Sequence, residues 1–280
     1  MIMRRKNLYR LFIYCMSFLV TMIALLPVIW VFLTSFKTRN EVYSFPPVLL
    51  PASFDLQNYI EMLHGTKYGY FTINSIIVGV SATCLVMLLA MLSAYGYSKF
   101  FSFVGQRSAL LGVLIARMVP EVAIVVPLYL VVQKVDLYDT KVALIIIYSA
   151  IAYPLATWLL KTFFDDIPKS IVEAARIDGC KSLEILYRVI LPIAKPALAS
   201  AITITFLTVW NPFLIALVFS GTINSKTLPV AISEVSHAEY GVEWGHLSAL
   251  SMITILPVFL IGLFAQKHLT SGLTAGALKY

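Results

Sequence analysis

Apolar residues gather along this chain into six runs, each close to the length of about 20 residues that a helix needs to cross a bilayer. Backbone polar groups without partners are too costly in hydrocarbon, so segments of this kind have to be helical. The pattern predicts an all-α integral membrane protein with six transmembrane helices. The predicted spans cover residues 11–33, 71–97, 108–132, 142–160, 197–219 and 247–265.

The composition indicates the same class of protein. Of the 280 residues, 60% are apolar and 12% are charged, whereas soluble proteins average about 45–50% apolar and about 25% charged residues. Neither an internal repeat nor a low-complexity tract divides the sequence. We therefore predict a single transmembrane domain over residues 1–280.

The Lys and Arg residues set the expected orientation. With the N-terminus inside, the inner segments carry fourteen of these residues and the outer segments carry six. Cytoplasmic loops hold the excess of positive charge in membrane proteins. We expect both termini, and the segment between the fourth and fifth spans, to lie in the cytoplasm of a multi-pass protein of the cell membrane. The net charge of +7 thus reflects topology, and we expect no nucleic-acid partner.

The segment between the fourth and fifth spans, residues 161–196, is the most highly charged part of the chain. Residues 161–195 hold eleven of the protein's thirty-five charges, six Lys or Arg and five Asp or Glu. Because this mixed-charge segment separates two membrane-length apolar runs, it has to lie in water.

Two short helices are expected inside this segment. Asp165 or Asp166 can cap the first backbone donors of a helix, and Pro168 is tolerated in its first turn. Gly179 should end that helix, because Gly enters the left-handed conformation without strain. A second helix is expected over 182–190.

Residues 161–196 resemble the EAA loop of the inner-membrane subunits of binding-protein-dependent ABC importers. The family pattern is Glu-Ala-Ala, then a Gly, then a Leu-Pro element. The longer match, which includes Asp178, is similar to the carbohydrate-importer branch and its maltose-transporter-like second permease subunit, although Cys180 stands where Ala is usual. The matching residues are Glu173, Ala174, Ala175, Asp178, Gly179, Leu191 and Pro192.

Other stretches resemble the same family. They are Asn74-Ser75, the run PLYLVVQKVDLYDT at 127–140, Trp210-Asn211, and the tail LTSGLTAGALKY at 269–280. The resemblance therefore extends over most of the chain.

This resemblance implies a transmembrane subunit that forms half of the translocation pathway for a carbohydrate. The implied partners are a second, homologous permease subunit in a heterodimer, two cytoplasmic ATPase subunits and an external solute-binding protein. ATP and Mg would bind to the ATPase subunits. No cofactor or metal is expected on this chain, which lacks the G-x-x-x-x-G-K-[ST] phosphate loop and is predicted to be non-catalytic.

The resemblance also implies which loop residues carry the coupling. Glu173, Ala174, Ala175, Asp178 and Gly179 would be seated in a groove on the ATPase subunit, with the two alanines leaving room for the partner. A plainer alternative for Glu173 is a surface ion pair with the Lys one turn earlier.

Two polar features inside the predicted spans are candidates for the translocation pathway. Arg117 and Glu121 are four residues apart in the third span, so on one helix they would share a face and pair. Trp210 and Asn211 lie in the fifth span, where an indole and an amide suit a sugar. Purely structural roles, as a helix-fastening salt bridge or an interhelical hydrogen bond, remain open for both pairs.

The outer segments are candidates for the binding-protein contact. Residues 55–63, in the segment between the first two spans, are expected to form a short helix or a plain loop. The resemblance implies that the loop between spans five and six meets the binding protein. The candidate contacts there are Asn224, Lys226, Tyr240 and Trp244.

Other functions remain open from the sequence. A permease subunit for a non-sugar solute, such as a polyamine or a phosphate ester, would carry the same loop. A secondary transporter or channel should show inverted repeats and coupling-ion sites, neither of which is visible. An intramembrane enzyme would need a nucleophile paired with a base within the spans.

Overall fold

A computed structural model describes residues 2–64, 66–100, 108, 111–112, 114–115, 117–237 and 241–277. Within those ranges every regular element is helical, which confirms the predicted all-α class. The chain divides into two compact units. The first unit comprises Met1–Gly69 and Ala231–Ile255, and the second comprises Tyr70–Val230 and Leu256–Tyr280.

We number the described helices in chain order. They are α1 Ile2–Thr34, α2 Arg39–Val42, α3 Gln57–Leu63, α4 Lys67–Tyr95, α5 Glu121–Lys134, α6 Lys141–Asp165, α7 Lys169–Ile177, α8 Ser182–Ile193, α9 Lys195–Trp210, α10 Phe213–Phe219, α11 Leu228–Ser236 and α12 Trp244–Ala277. A π-helical turn, Gly96–Phe100, continues α4.

Four of the described helices are long and apolar enough to cross a membrane. They contain the stretches Tyr9–Thr34, Lys67–Lys99, Lys141–Asp165 and Trp244–Phe264, which correspond to the first, second, fourth and sixth predicted spans. A fifth span results if α8 and α9, which meet at a bend of 86°, are counted as one. The described residues therefore contain four or five candidate spans, where the apolar pattern predicts six.

Prolines mark breaks in two of the predicted spans. The third span is expected over 108–132; residues 108, 111, 112, 114 and 115 are helical, and α5 begins at Glu121, after Pro120 at its N-cap position. The fifth span is expected as one helix over 197–219, but α9 ends at Trp210 and α10 begins at Phe213. Pro212 lies in that gap, and its missing N–H removes one rung of the helical hydrogen-bond ladder.

The core of the second unit forms around α6. This helix packs along α9, and residues of α4 join the same buried cluster. The Ser149 hydroxyl of α6 donates to the Ala82 carbonyl of α4, and the Tyr153 hydroxyl is hydrogen-bonded to the Ser93 hydroxyl at 2.8 Å. Close helix contact is typical of membrane interfaces built from small residues.

The first unit is organised by Lys37, which lies just beyond α1 and is only 3% exposed. Its Nζ donates to the Val48 carbonyl at 2.7 Å and lies 4.4 Å from the centre of the Trp30 ring. The Asn58 amide of α3 donates to the Ser35 and Lys37 carbonyls. The helix expected near 55–63 is thus present as α3.

Candidate functional site

The first helix of the 161–196 loop is α7, but its N-terminus differs from the prediction. Pro168, in an extended conformation, occupies the N-cap position, so neither Asp165 nor Asp166 caps α7. The reason is that α6 continues further than expected, through Asp165, and Asp166 is its C-cap. Asp165 instead pairs with the Lys161 ammonium at 2.5 Å.

The C-terminus of α7 matches the prediction. Gly179 has a φ of +83°, which is the left-handed conformation that residues with a β-carbon rarely adopt. The Gly179 N–H donates to the Arg176 carbonyl, and the Cys180 N–H donates to the Ala175 carbonyl, both at 3.0 Å. These two bonds form a Schellman motif, which satisfies the last carbonyls of the helix and turns the chain sharply.

The two alanines of the EAA motif face different ways. Val172 and Ala175 are buried against the second unit's own core, whereas Glu173, Ala174 and Asp178 are exposed. The expectation that both alanines leave room for a partner is therefore wrong for Ala175 in this structure. Because the side chains at 172 and 175 are three residues apart, they lie on one face of the helix and point inward together.

The outward face of the loop is more apolar than a solvated surface requires. Ile177 is 87% exposed, Leu183 is 63% exposed and Tyr187 is 52% exposed. Glu173 forms no ion pair with any described residue. Exposed apolar side chains of this number in one loop are typical of a surface that another protein covers.

The second helix, α8, extends beyond the predicted 182–190. The Glu184 carboxylate accepts a hydrogen bond from the Lys181 N–H at its start, and a π-helical turn, Leu186–Ile190, leads to a last turn ending at Ile193. The chain then bends by 86° into α9. The Leu191-Pro192 element therefore lies in the last turn before this bend.

Two contacts to the loop come from a helix that sequence reasoning did not connect with it. The Tyr95 hydroxyl donates to the Ser182 carbonyl at 2.9 Å, and the Lys99 ammonium donates to the Ile167 carbonyl at 2.9 Å. Ile167 precedes α7 and Ser182 follows it. Residues 95 and 99 are one helical turn apart, which is the only sequence signal that groups them.

At the other end of the second unit, the Asp139 carboxylate binds the segment 221–225. The carboxylate accepts hydrogen bonds from the N–H groups of Gly221 and Thr222 at 2.8 and 3.0 Å and from the hydroxyls of Thr222 and Ser225. Partial burial alone would raise the pKa of Asp139. The hydrogen bonds from Ser225, Thr222 and Gly221 outweigh burial and lower this pKa to about 2.

Asn74 and Ser75 extend this network to residue 228. The buried Asn74 amide donates to the Ile223 and Lys226 carbonyls at 2.9 and 3.0 Å, and the Leu228 N–H donates to the Ser75 hydroxyl at 2.7 Å. The Lys141 ammonium donates to the Asn224 carbonyl at 2.6 Å. Together these contacts immobilise the backbone of the segment 221–228, which we call the outer loop. The sequence flagged Asn74-Ser75 only through the family resemblance.

The predicted pairing of Arg117 with Glu121 on one helix is wrong in this structure. Arg117 lies in a turn before Pro120, and Glu121 is the first residue of α5. Both side chains are exposed, and no ion pair joins them within the described part of the chain. Pro120 separates the two residues, so the helical spacing assumed for them does not apply. Their place in the pathway remains a prediction.

The Trp210-Asn211 pair occupies the break between α9 and α10. Trp210 is 4% exposed and stacks on Phe206 with ring centres 5.0 Å apart. A β-carbon at Gly79 would lie 3.0 Å from the indole, so the glycine permits this packing. Asn211 is exposed. Of the two, only the amide is free in this structure to contact a solute.

The predicted binding-protein contacts fall in both compact units. Asn224 and Lys226 belong to the outer loop in the second unit. Trp244 begins α12 in the first unit and is 48% exposed. Tyr240 lies outside the described residues.

Trp244 borders a cavity of about 400 Å³ within the first unit. The Glu61 carboxylate and the His246 Nε2 meet there at 2.8 Å, and Arg39 pairs with Glu243 at 3.3 Å. Hydrogen bonds from Gln57 and His246 lower the pKa of Glu61. These pairs tie the start of α12 to the segment around α3.

Within the described ranges, no group of three or more His, Cys, Asp or Glu side chains is placed to hold a metal ion. The described residues thus form exposed surfaces and hydrogen-bonded loops, and the 161–196 loop has the most distinctive geometry among them.

Comparison with known proteins agrees with this geometry. The family model described as "Binding-protein-dependent transport system inner membrane component" matches residues 86–274. The chain is 33% identical over 279 residues to the inner membrane ABC transporter permease protein YcjP of Escherichia coli (strain K12), covering 98% of each protein. It is 32% identical to the trehalose/maltose transport system permease protein MalG of Thermococcus litoralis, covering 99% of each.

The fold is also shared with a solved structure. A chain from a bacterial ABC transporter that imports the acidic polysaccharide alginate has a TM-score of 0.80 and 22% identity, with 94% of this chain and 97% of that chain covered. At this identity the likeness concerns the fold alone. The family model and the relatives decide the assignment: the chain belongs to the family of binding-protein-dependent transport system inner membrane components.

Proposed function

We propose that this chain is a transmembrane subunit of an ATP-driven ABC importer and forms half of the translocation pathway for a carbohydrate. The observation that carries the proposal is the 161–196 loop. There α7 presents Glu173 and Ala174 outward, ends in a Schellman turn at Gly179 and rests on the protein's own core through Val172 and Ala175. Such a loop is rigid on the inside and open to a partner on the outside.

The partner at this surface is an ATPase subunit. In this proposal the chain binds no ATP or Mg itself and receives its energy through the loop. Glu173 offers a charge for a basic residue of the ATPase, and such a bond is strongest when partly buried. Two ATPase subunits, a second, homologous permease subunit and an external solute-binding protein complete the assembly. Asn211, exposed at the break between α9 and α10, is the proposed solute contact.

A carbohydrate is favoured over other solutes by the relatives. Their names specify permeases for sulfoquinovosyl glycerol, for trehalose or maltose, for trehalose and for diacetylchitobiose. These solutes all carry sugar rings, and an exposed amide at a helix break suits sugar hydroxyls. A polyamine or a phosphate ester is the alternative that the same loop would serve.

The proposed topology has six spans with both termini in the cytoplasm. It rests on the excess of Lys and Arg in the inner segments. This orientation places the 161–196 loop inside the cell and the outer loop outside. The segment that follows α10, including Asn224 and Lys226, would then face the binding protein.

The test is co-purification and uptake. The tagged chain, extracted from its own cell in mild detergent, should bring down an ATPase subunit, and Glu173→Lys should reduce the amount recovered. Asp55→Lys, at an exposed carboxylate in another loop with an ordinary backbone conformation, is the matched control and should not. Uptake of maltose, trehalose and diacetylchitobiose is then compared with uptake of spermidine and glycerol phosphate. Absence of any associated ATPase would refute the importer, and transport of spermidine or glycerol phosphate alone would refute the carbohydrate.

A further inference from the structure

Helix α4 makes side-chain hydrogen bonds to polar loops at both of its ends. Asn74 and Ser75 bind the outer loop, while Tyr95 and Lys99 bind the 161–196 loop. Asn74 and Tyr95 are twenty-one residues apart, or about 31 Å along a helix. That length matches the hydrocarbon thickness of a bilayer, about 30 Å.

At the Asn74 end, the bonds go to backbone atoms of the outer loop. The Asn74 amide holds the carbonyls of Ile223 and Lys226, and the Ser75 hydroxyl holds the N–H of Leu228. Asn74 is 4% exposed, so water does not compete easily for these bonds. The helix end and the outer loop therefore move together, whatever side chains the loop displays.

At the Tyr95 end, the two acceptors flank α7 in the sequence. The Ile167 carbonyl lies just before that helix and the Ser182 carbonyl lies after it. Tyr95 is 4% exposed and belongs to the same buried cluster as Val172 and Ala175. The polypeptide chain connects α7 directly only to α6 and α8. The hydrogen bonds from Tyr95 and Lys99 therefore link the loop to α4.

Between its ends α4 is a continuous helix without proline. Proline interrupts α1, α5, α6 and α12. Because kinks arise mainly at proline, α4 transmits a displacement along its axis better than these helices do. Its buried face holds small residues at positions 82, 90 and 94, which allow neighbouring helices to pack closely against it and support it along its length.

We propose that α4 is a strut that couples the outer loop to the 161–196 loop across the membrane, with Asn74, Ser75, Tyr95 and Lys99 as its positioning residues. Movement that the ATPase imposes on α7 reaches the outer loop through this helix, and contact of a binding protein at the outer loop reaches α7 by the same route. The inference rests on the proposed function, because it requires an ATPase at α7.

The experiment uses the purified complex with its ATPase subunits and takes Mg-ATP with vanadate as the probe. Cys15, Cys84 and Cys180 are first replaced by Ala, and a nitroxide label is attached at Asn224→Cys. The Asn224 side chain is exposed and only its backbone is bonded. The mobility of the label is compared before and after trapping of the nucleotide.

In the otherwise unaltered complex, trapping should change the mobility of the label. Tyr95→Phe and Ser75→Ala should each reduce this change by about fivefold, the scale of a single coupling contact. Lys99→Met should act similarly, and Lys99→Arg, which keeps a donor, should restore the response. Tyr70→Phe, on the same helix with an exposed ring and no hydrogen-bond partner among the described residues, is the control and should respond normally.

The double variant Ser75→Ala/Tyr95→Phe distinguishes a strut from two separate stabilising contacts. If the two ends act in series, the fractions of the response that remain should multiply, so the double variant should keep only about one twenty-fifth of it. A double variant that responds as well as the more severe single variant would overturn the strut, as would a normal response in both single variants. A complex that hydrolyses and traps ATP without any response at residue 224 would also overturn it, while leaving the importer intact. A chain with no associated ATPase would overturn both.

Discussion

Replacing Asp139 by Asn should loosen the outer loop at its most densely bonded point. Asn keeps the size of the side chain and tolerates the φ of +58° found at this position. The Asn oxygen can occupy the place of Oδ1, which accepts from Gly221, Thr222 and Ser225. The amide can donate to the Thr222 hydroxyl in the place of Oδ2. What the substitution removes is therefore mainly the negative charge.

The size of the effect follows from the pKa of Asp139, which lies at about 2 instead of 3.8. The difference of about 1.8 between these two pKa values corresponds to at most about 2.4 kcal/mol of stabilisation of the folded loop by the carboxylate charge. Because the carboxylate is partly exposed, solvent screening reduces the expected loss to about 1–2 kcal/mol. That free energy corresponds to roughly 5-fold to 30-fold more frequent opening of the loop.

Hydrogen–deuterium exchange at the Gly221 and Thr222 amides measures this opening directly. Asp136→Asn is the control, because Asp136 also has a positive φ, of 55°, and its side chain makes no hydrogen bond to the described residues. The folded pKa of Asp139 is lowered, so its contribution is complete above about pH 4 and is lost as the pH falls toward about 2. The difference in amide exchange rate between wild type and Asp139→Asn should therefore disappear as the pH falls through that range. Equal amide protection in both proteins at pH 7 would refute the reasoning.

Four further substitutions test the packing of the second unit. Gly179→Ala should cost about 1–2 kcal/mol of backbone strain with no steric clash, and it should lower the uptake obtained per ATP hydrolysed; unchanged coupling would mean that the Schellman turn is dispensable. Ala175→Leu should lower the melting temperature of the subunit, because overpacking costs about 1–3 kcal/mol. Ala174→Leu should leave the melting temperature unchanged and reduce recovery of the ATPase. The reverse pattern would contradict the assignment of Ala175 to the inward face and Ala174 to the outward face. Gly79→Val should displace Trp210 and change its fluorescence, and an unaltered emission spectrum would show that the indole is not held there.

Local chemistry made much of α7 predictable. The effect of Gly179 depends on a few neighbouring residues, and the φ of +83° follows from the requirement for a residue without a β-carbon. The start of the helix was predicted less well. Asp165 and Asp166 are both good capping residues. Because α6 buries Phe164, it extends to Asp165 and has Asp166 as its C-cap, so Pro168 takes the N-cap position of α7.

Long-range contacts were beyond the reach of the apolar pattern. The roles of Asp139 and Lys99 depend on where α4, α6 and the outer loop meet, and hydropathy carries no information on those meetings. The pattern also treated 197–219 as one run, because Asn211-Pro212 contributes only two polar or helix-breaking positions to a window of apolar residues. The sequence contained the signal for the break in Pro212, and the prediction of a continuous span gave it too little weight.

The bend of 86° between α8 and α9 changes the direction of any displacement that passes from one helix to the other. A displacement along the axis of α8 has almost no component along the axis of α9, so under the proposed function a push from an ATPase subunit on α8 would not slide α9 along its own axis. It acts instead as a sideways force at the foot of α9 and tilts that helix. Since α9 ends at the Trp210-Asn211 break, such a tilt would swing the Asn211 amide sideways. If Asn211 is the proposed solute contact, this rotation would control access of the solute to it.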